Sequence, residues 1–302
     1  MCLLQALLMA SVVAIINWNS GNWLRTCIES LLATAPSAEI LVVDNASEDA
    51  SLELIGAFRK RVNFIRNKVN RGFAAAVNQA FQATSTPYVL VLNPDIRVTP
   101  GAVVILEDFM NAHPHTGAVG GYVNKNYLPR DFPTAWVLVR ENLGFPRPCS
   151  VAAVYERRNP GAPRAALQFC EAISVEQPAA AALMIRREAY ESVGGFDEQF
   201  YPAWYEDVDF CCRLKAEGWE IYYAPKAEFL HEGGYSVSAL GSESFVRAYY
   251  GNQMRYARKH FSLLGSAAVR ASVAVGMLGR MIGRPQQAAA YGKAFLGALK
   301  GW

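Results

Sequence analysis

Along the first hundred residues, unbroken apolar runs alternate with segments whose apolar positions recur every three or four residues. "SVVAIINW" is a continuous apolar strand, and residues 21–33 set Trp23, Cys27 and Leu31 at helical spacing. "EILVVDN" predicts a second buried strand, and "EDASLELIGAFRK" a helix whose acidic first turn suits its dipole. "VNFIRN" follows as a short third strand, "GFAAAVNQAFQAT" as a third helix and "YVLVLNPD" as a fourth strand. Repeated strand–helix units with strands apolar throughout predict a mostly parallel sheet covered by helices on both faces, an α/β fold. Ligands of such sheets bind at the carboxyl ends of the strands. Those ends carry Asn17-Trp18-Asn19, Asp44-Asn45 and Asn93-Pro94-Asp95, three polar clusters that belong to one crevice. Residues 124–170 lose this periodicity, are rich in Pro, Arg and aromatic residues, and read as a long excursion with loops. Order returns with "PAAAALMIRREAYESVGGFDEQF" and with "YEDVDFCCRLKAEGWEIYYAP", a helix followed by a strand. After "HEGGYS" the chain reads as helical to its end.

Composition changes this picture in two places. The net charge of +3 is unevenly spread, because every acidic residue lies at or before Glu243. Nine Arg and Lys follow with no Asp or Glu, leaving about −6 on the first 243 residues: an acidic body with a basic tail. The six cysteines, at 2, 27, 149, 170, 211 and 212, form no CxxC pair and read as reduced thiols of a cytosolic protein. The apolar start "MCLLQALLMA" lacks a basic n-region and a small-residue cleavage site, so it reads as an approach to the first strand. No clean run of eighteen apolar residues predicts a spanning helix.

The candidate chemistry lies in carboxylates. Asp44 is either a turn or N-cap residue, or an acceptor for the N–H of a pyrimidine ring. Asp95 follows a proline that fixes its turn; it either caps that turn or coordinates a divalent cation such as Mg²⁺ or Mn²⁺. Asn93 offers hydrogen bonds without charge. Glu206, Asp207 and Asp209 open a helix, where negative charge is favourable, and the Asp209–Arg213 spacing marks Asp209 as structural. Glu206 and Asp207 follow Trp204 and Tyr205, and aromatic walls raise a carboxylate's pKa toward that of a useful base. His231 precedes Glu232-Gly233-Gly234 and is either structural or a metal ligand.

The motifs "IINWNS", "ILVVDNASEDAS", "NRGFAAAVNQA", "YVLVLNPD", "GGFDEQFYPAWYEDVDFCCRLKAEGW" and "HEGGYS", in this order over residues 11–236, carry a resemblance. The chain resembles the inverting family-2 glycosyltransferases of the GT-A fold, most closely the bacterial rhamnosyltransferase-like branch that builds surface polysaccharides. The resemblance implies a GT-A catalytic domain at 1–236, with a nucleotide-binding half at 11–100 and an acceptor half at 101–236, then a helical tail at 237–302. It implies that Asn17, Trp18 and Asn19 line the nucleotide pocket, with Trp18 where a tyrosine is usual, and that Asp44 holds the base beside Asn45. Arg71, Gly72 and Asn78 would border the nucleotide. Asn93 and Asp95 occupy the Asp-x-Asp position, so Asp95 would bind the Mg²⁺ or Mn²⁺ that bridges the donor diphosphate, joined by His231. Asp207 matches the general base; Glu206 is the reserve base or, with Trp204, an acceptor contact. The implied donor is dTDP-rhamnose or a UDP-hexose, and the acceptor a glycan or a lipid-linked sugar.

In the tail, Arg270, Arg280 and Arg284 fall within about 80° on a helical wheel. This predicts either a hairpin packed on the body with solvated arginines, or peripheral contact of the basic helices with the inner face of the cell membrane. Nucleic acid is not expected, because the basic residues alternate with Val, Met and Leu rather than with a stacking surface. A nicotinamide dehydrogenase, which shares the strand–helix start, is not expected, because no G-x-G-x-x-G follows the first strand. A non-catalytic nucleotide-sugar-binding or scaffold protein is the rival reading, and the sequence leaves a homodimer open.

Overall fold

The structure, a computed structural model, describes residues 11–123, 127–146, 171–231 and 242–301. The apolar start, Glu232-Gly233-Gly234, and Cys2, Cys149 and Cys170 lie outside the described residues, as does much of the 124–170 excursion. The strands are β1 (Ser11–Asn17), β2 (Glu39–Asp44), β3 (Val62–Arg66), β4 (Tyr88–Leu92), β5 (Ile96–Val98), β6 (Thr116–Tyr122), β7 (Ile173–Ser174), β8 (Ala182–Arg186) and β9 (Glu220–His231). The helices are α1 (Asn22–Thr34), α2 (Ser51–Leu54), α3 (Phe73–Ala83), α4 (Ala102–Ala112), α5 (Ala135–Asn142), α6 (Arg187–Ser192), α7 (Glu206–Ala216), α8 (Ser242–His260), α9 (Leu263–Gly283) and α10 (Ala288–Lys300).

The described strands form one sheet in the order β3-β2-β1-β4-β8-β6-β9-β5, with β7 paired to β9. The first half is parallel, as its apolar strands require: β1 pairs with β2 and β4, and β2 with β3. Beyond β4 the sheet is mixed, since β8 runs antiparallel to both β4 and β6 while β6 and β9 are parallel. Every residue of β1 is buried, because helices cover both faces. One core packs α1 and α4 against the sheet through Leu24, Ile28, Leu31, Leu106 and Met110. The opposite core uses Ala76, Val77 and Phe81 of α3 with Phe210 and Leu214 of α7. The segment read as one helix after Asp44 is instead a four-residue α2 followed by a 3-10 turn, Gly56–Phe58. Asp49 ties its start by accepting from the Ser51 N–H and Oγ, and Gly56 weakens its continuation.

The C-terminal helices pack on the body and on one another. The α8 residues Tyr256 and Ala257 share a cluster with Leu138 of α5, Val269 of α9, and Phe200, Tyr205 and Val208. Asn142 at the end of α5 donates to Ser272 Oγ at 3.0 Å. A Cβ on Gly276 would collide with the Asn142 carbonyl, so glycine lets α9 and α5 touch backbone to side. Two of the three arginines of the α9 stripe are engaged by backbone carbonyls. Arg270 Nε donates to the Ala298 carbonyl at 2.5 Å and Arg280 to the Asn142 carbonyl at 2.8 Å, so both cap neighbouring helices; Arg280 is half-buried, while Arg270 and Arg284 stay exposed.

Candidate active site

The carboxyl ends of β1, β2 and β4 open onto a cavity of about 620 Å³. Its floor carries Trp18, Asn45 and Asn93-Pro94; its far wall carries Trp204, Glu206 and Asp207 from the start of α7. Three of the polar strand ends thus border one cavity with the start of α7.

Other expected nucleotide ligands make hydrogen bonds within the scaffold. Asn17 is fully buried and donates to Asp44 Oδ1 (2.7 Å), Ser47 and Ser51, while its Oδ1 accepts from Ser20. Asp44 makes the expected turn contacts: it also accepts from the Ser47 Oγ (2.6 Å) and N–H. Asn19 closes the same turn, its N–H donating to Ser47 Oγ and its Oδ1 accepting from the Glu48 N–H. Asn78 clamps α3 to the segment before α7, donating to the Phe196 carbonyl and Glu198 and accepting from the Phe196 N–H and Tyr190. Arg71 faces Glu198 at 3.7 Å in solvent. None of these five side chains lines the cavity. Buried polar atoms at a strand end need partners first, and neighbouring turns supply them. Gly72 has φ +86°, and a Cβ there would meet the Tyr201 ring at 2.9 Å and the Pro202 carbonyl at 3.0 Å. It lets the chain pass beneath the cavity rim.

Asp95 and His231 are brought together by β5 pairing antiparallel with the end of β9, Ile96 opposite His231. The His231 Nε2 lies 3.3 Å from Asp95 Oδ2, and both side chains are almost wholly buried. The Tyr127 ring packs tilted against His231, with ring centroids 4.6 Å apart. Burial, helped by the Asp95 charge and opposed by Arg130, raises the Tyr127 phenol's pKa, and the same burial and charge push the Cys27 thiol up. Among the described residues no group of three or more His, Cys, Asp or Glu could hold a metal. One carboxylate and one imidazole fit a divalent cation as part of a ligand set completed by donor oxygens.

The acid pair is differently held. Glu206 is 5 % exposed, and its Oε2 is buried with no hydrogen-bond partner among the described residues. Burial first, and then the Asp207 charge, raise its pKa well above the ordinary carboxylate range. Asp207 is anchored: Oδ1 accepts from the Val208 N–H at 2.8 Å and Oδ2 from Gln177 Nε2 at 3.0 Å. Burial raises its pKa too, and these hydrogen bonds hold the rise back. Gln177 is fixed by a backbone bridge to Arg130, itself a cavity residue.

The loop that presents the pair is strained and clamped. Trp204 and Tyr205 both have positive φ (77° and 72°), a cost of about 1–3 kcal/mol each. The α8 helix holds them. Buried Asn252 donates to the Tyr201 (3.2 Å) and Ala203 (2.8 Å) carbonyls, and Gln253 donates to the Tyr205 hydroxyl (3.0 Å). Phe245 packs edge-on to Trp204 at 4.9 Å. One helical turn away, Asp209 is fully buried and bonded by Arg213 (2.8 Å), Lys259 and His260 (2.8 Å), the structural role its spacing predicted. Sequence reasoning missed Tyr127, Arg130, Gln177, Tyr249 and Asn252, which enter the site only through long-range packing.

Comparison with known proteins assigns the chain to a family. The sequence model described as Glycosyl transferase family 2 matches residues 12–194, and one described as N-terminal domain of galactosyltransferase matches 168–233. An N-acetylglucosaminyl-diphospho-decaprenol L-rhamnosyltransferase of Mycobacterium tuberculosis is 27% identical over 300 residues, spanning 87% of this chain and 92% of that one. Among solved structures, GalNAc-T7 with UDP, GalNAc and Mn²⁺ superposes with a TM-score of 0.58 at 16% identity, over 80% of this chain and 48% of that one. The mannosyltransferase PcManGT of Pyrobaculum calidifontis, with GDP-Man and Mn²⁺, also gives 0.58 at 13% identity, over 96% and 87%. The two structures share the fold with this chain. With the family match spanning more than half of the sequence, the protein belongs to glycosyl transferase family 2 and is a glycosyltransferase of the GT-A fold.

Proposed function

We propose that the protein moves a sugar, with inversion, from a nucleoside-diphosphate donor to a hydroxyl of a glycan or lipid-linked acceptor during surface-polysaccharide synthesis. The donor we favour is dTDP-rhamnose, with UDP-hexoses as the alternative, because the relative aligned over most of the chain is named as a rhamnosyltransferase. The observation that carries the reading is Asp207: a carboxylate at the cavity wall, held at both oxygens and facing the same space as Asn93.

The residues divide the work as follows. Asn45 and Asn93 border the donor, with Trp18 offering an apolar face. Asp95 and His231 would hold Mg²⁺ or Mn²⁺, and the bound ion supplies charge neutralisation at the diphosphate. Arg130 adds a protein cation at the same cavity. Ionised Asp207 accepts the proton of the acceptor hydroxyl as that oxygen bonds to the anomeric carbon; the bond from that carbon to the diphosphate oxygen breaks on the opposite face. Gln177 and the Val208 N–H fix which carboxylate lone pair meets the hydroxyl, so alignment is preset. Glu206, whose pKa is raised by burial and by the Asp207 charge, would when protonated give a hydrogen bond to a substrate oxygen rather than compete as base. Trp204 packs the acceptor face.

A thermal-shift panel of dTDP- and UDP-sugars with and without Mn²⁺, followed by NMR of the product's anomeric carbon, tests this. One donor class raises the melting temperature, more so with Mn²⁺, and gives an inverted linkage. A retained linkage, or no stabilisation by any nucleotide sugar, refutes it.

A further inference from the structure

The outward face of α9 is apolar from end to end. Leu264 and Ile282 are 85% and 84% exposed, and Val275 and Leu278 lie exposed between them. The remaining exposed positions of that arc are Ala267, Ala268, Ala271 and Gly279. At 100° per residue all eight fall within roughly 120° of the helix, on a stripe about 27 Å long. No charged or hydrogen-bonding side chain interrupts it, because Arg270 and Arg280 are turned aside onto carbonyls of α10 and of Asn142. The helices on either flank extend the apolar character: Trp136 on α5 is 68% exposed, and Leu296 and Leu299 on α10 are about half exposed. A soluble surface rarely leaves a patch of this extent without a partner.

Charge identifies the partner. From residue 244 onward the chain carries nine Arg and Lys and no acidic residue, and Arg284 and Lys300 are exposed at the ends of α9 and α10. Two copies meeting through this face would oppose like charges, whereas an anionic bilayer complements them. No helix among the described residues is long and apolar enough to cross a membrane. We propose that the apolar face of α9 lies in the headgroup–acyl boundary of an anionic membrane, parallel to its plane, with the basic residues at its margins meeting lipid phosphates. The docking face is coupled to the catalytic loop. Val269 on the inner side of α9 and Leu138 of α5 pack in the same cluster as Tyr205, the residue before Glu206. This proposal does not rest on the transferase reading.

The test is flotation of the full chain with vesicles of phosphatidylglycerol and phosphatidylcholine, or of phosphatidylcholine alone, with no acceptor present. The wild type is expected to float with the anionic vesicles and much less with the neutral ones. The double variant Leu278→Gln/Ile282→Gln should bind anionic vesicles roughly tenfold more weakly, with unchanged melting and unchanged donor stabilisation. Wild-type protein that stays at the bottom of the gradient, or a variant that floats like the wild type, overturns the proposal. So does light scattering that finds a wild-type dimer converted to monomer by the variant, which assigns the face to a second copy.

Discussion

Asp209→Asn isolates the link between the catalytic helix and the C-terminal helices. The carboxylate is fully buried, and three cationic or imidazole groups converge on it: Arg213 from its own helix and Lys259 and His260 from the end of α8. Removing one partner of a buried charge network costs about 3–5 kcal/mol. Here the partners keep 20–34% exposure, so water screens part of the loss, and the amide oxygen still accepts one bond. We therefore expect about 2–3 kcal/mol, or a fall in melting temperature of about 4–10 °C at neutral pH. The partners hold the Asp209 carboxyl below its ordinary value. A depressed folded pKa adds stability above the unfolded carboxylate pKa and loses it as pH drops through the folded one. The gap between variant and wild type should thus close in acid. Differential scanning calorimetry from neutral pH down to pH 3 reads both effects. A variant melting within 2 °C of wild type at neutral pH, or a gap that widens in acid, refutes the reasoning.

Three other substitutions probe the site. Gln177→Leu removes a bond that favours ionised Asp207, so the acid limb of the kcat profile should move to higher pH while donor KM stays nearly constant; an unmoved limb contradicts the role given to Gln177. Gly72→Ala forces a positive φ and a clash with Tyr201 and Pro202, and should cost about 1–3 kcal/mol in urea unfolding and raise donor KM. Asn252→Ala leaves the Tyr201 and Ala203 carbonyls without their donor; kcat should fall with about 1–3 kcal/mol of lost stability, although the residue lies on a helix outside the cavity.

How much of this was legible follows from where each signal resides. The parallel half of the sheet and the polar strand ends could be read directly, because unbroken apolar runs have one stable solution. The resemblance named Asp95 and His231 together; their contact depends on β5 meeting β9, a pairing that no local pattern encodes. Asn17 and Asn78 carried the right chemistry for a ligand, yet burial obliges them to satisfy neighbouring turns. The angular stripe of Arg270, Arg280 and Arg284 was a true feature of the helix, but a wheel has no inside. Nearby carbonyls hold two of the three guanidinium groups aside from the exposed alkyl face. Gln177 and Asn252 act through bonds to residues distant in sequence, and nothing in their own surroundings marks them.

The central claim is that Asp207 takes the acceptor proton. The most direct measurement compares Asp207→Asn with wild type by calorimetric donor binding and by single-turnover transfer on one preparation. We predict donor affinity within about threefold and transfer slowed about 100- to 10,000-fold. Transfer at the wild-type rate, or donor binding lost in step with it, contradicts the account.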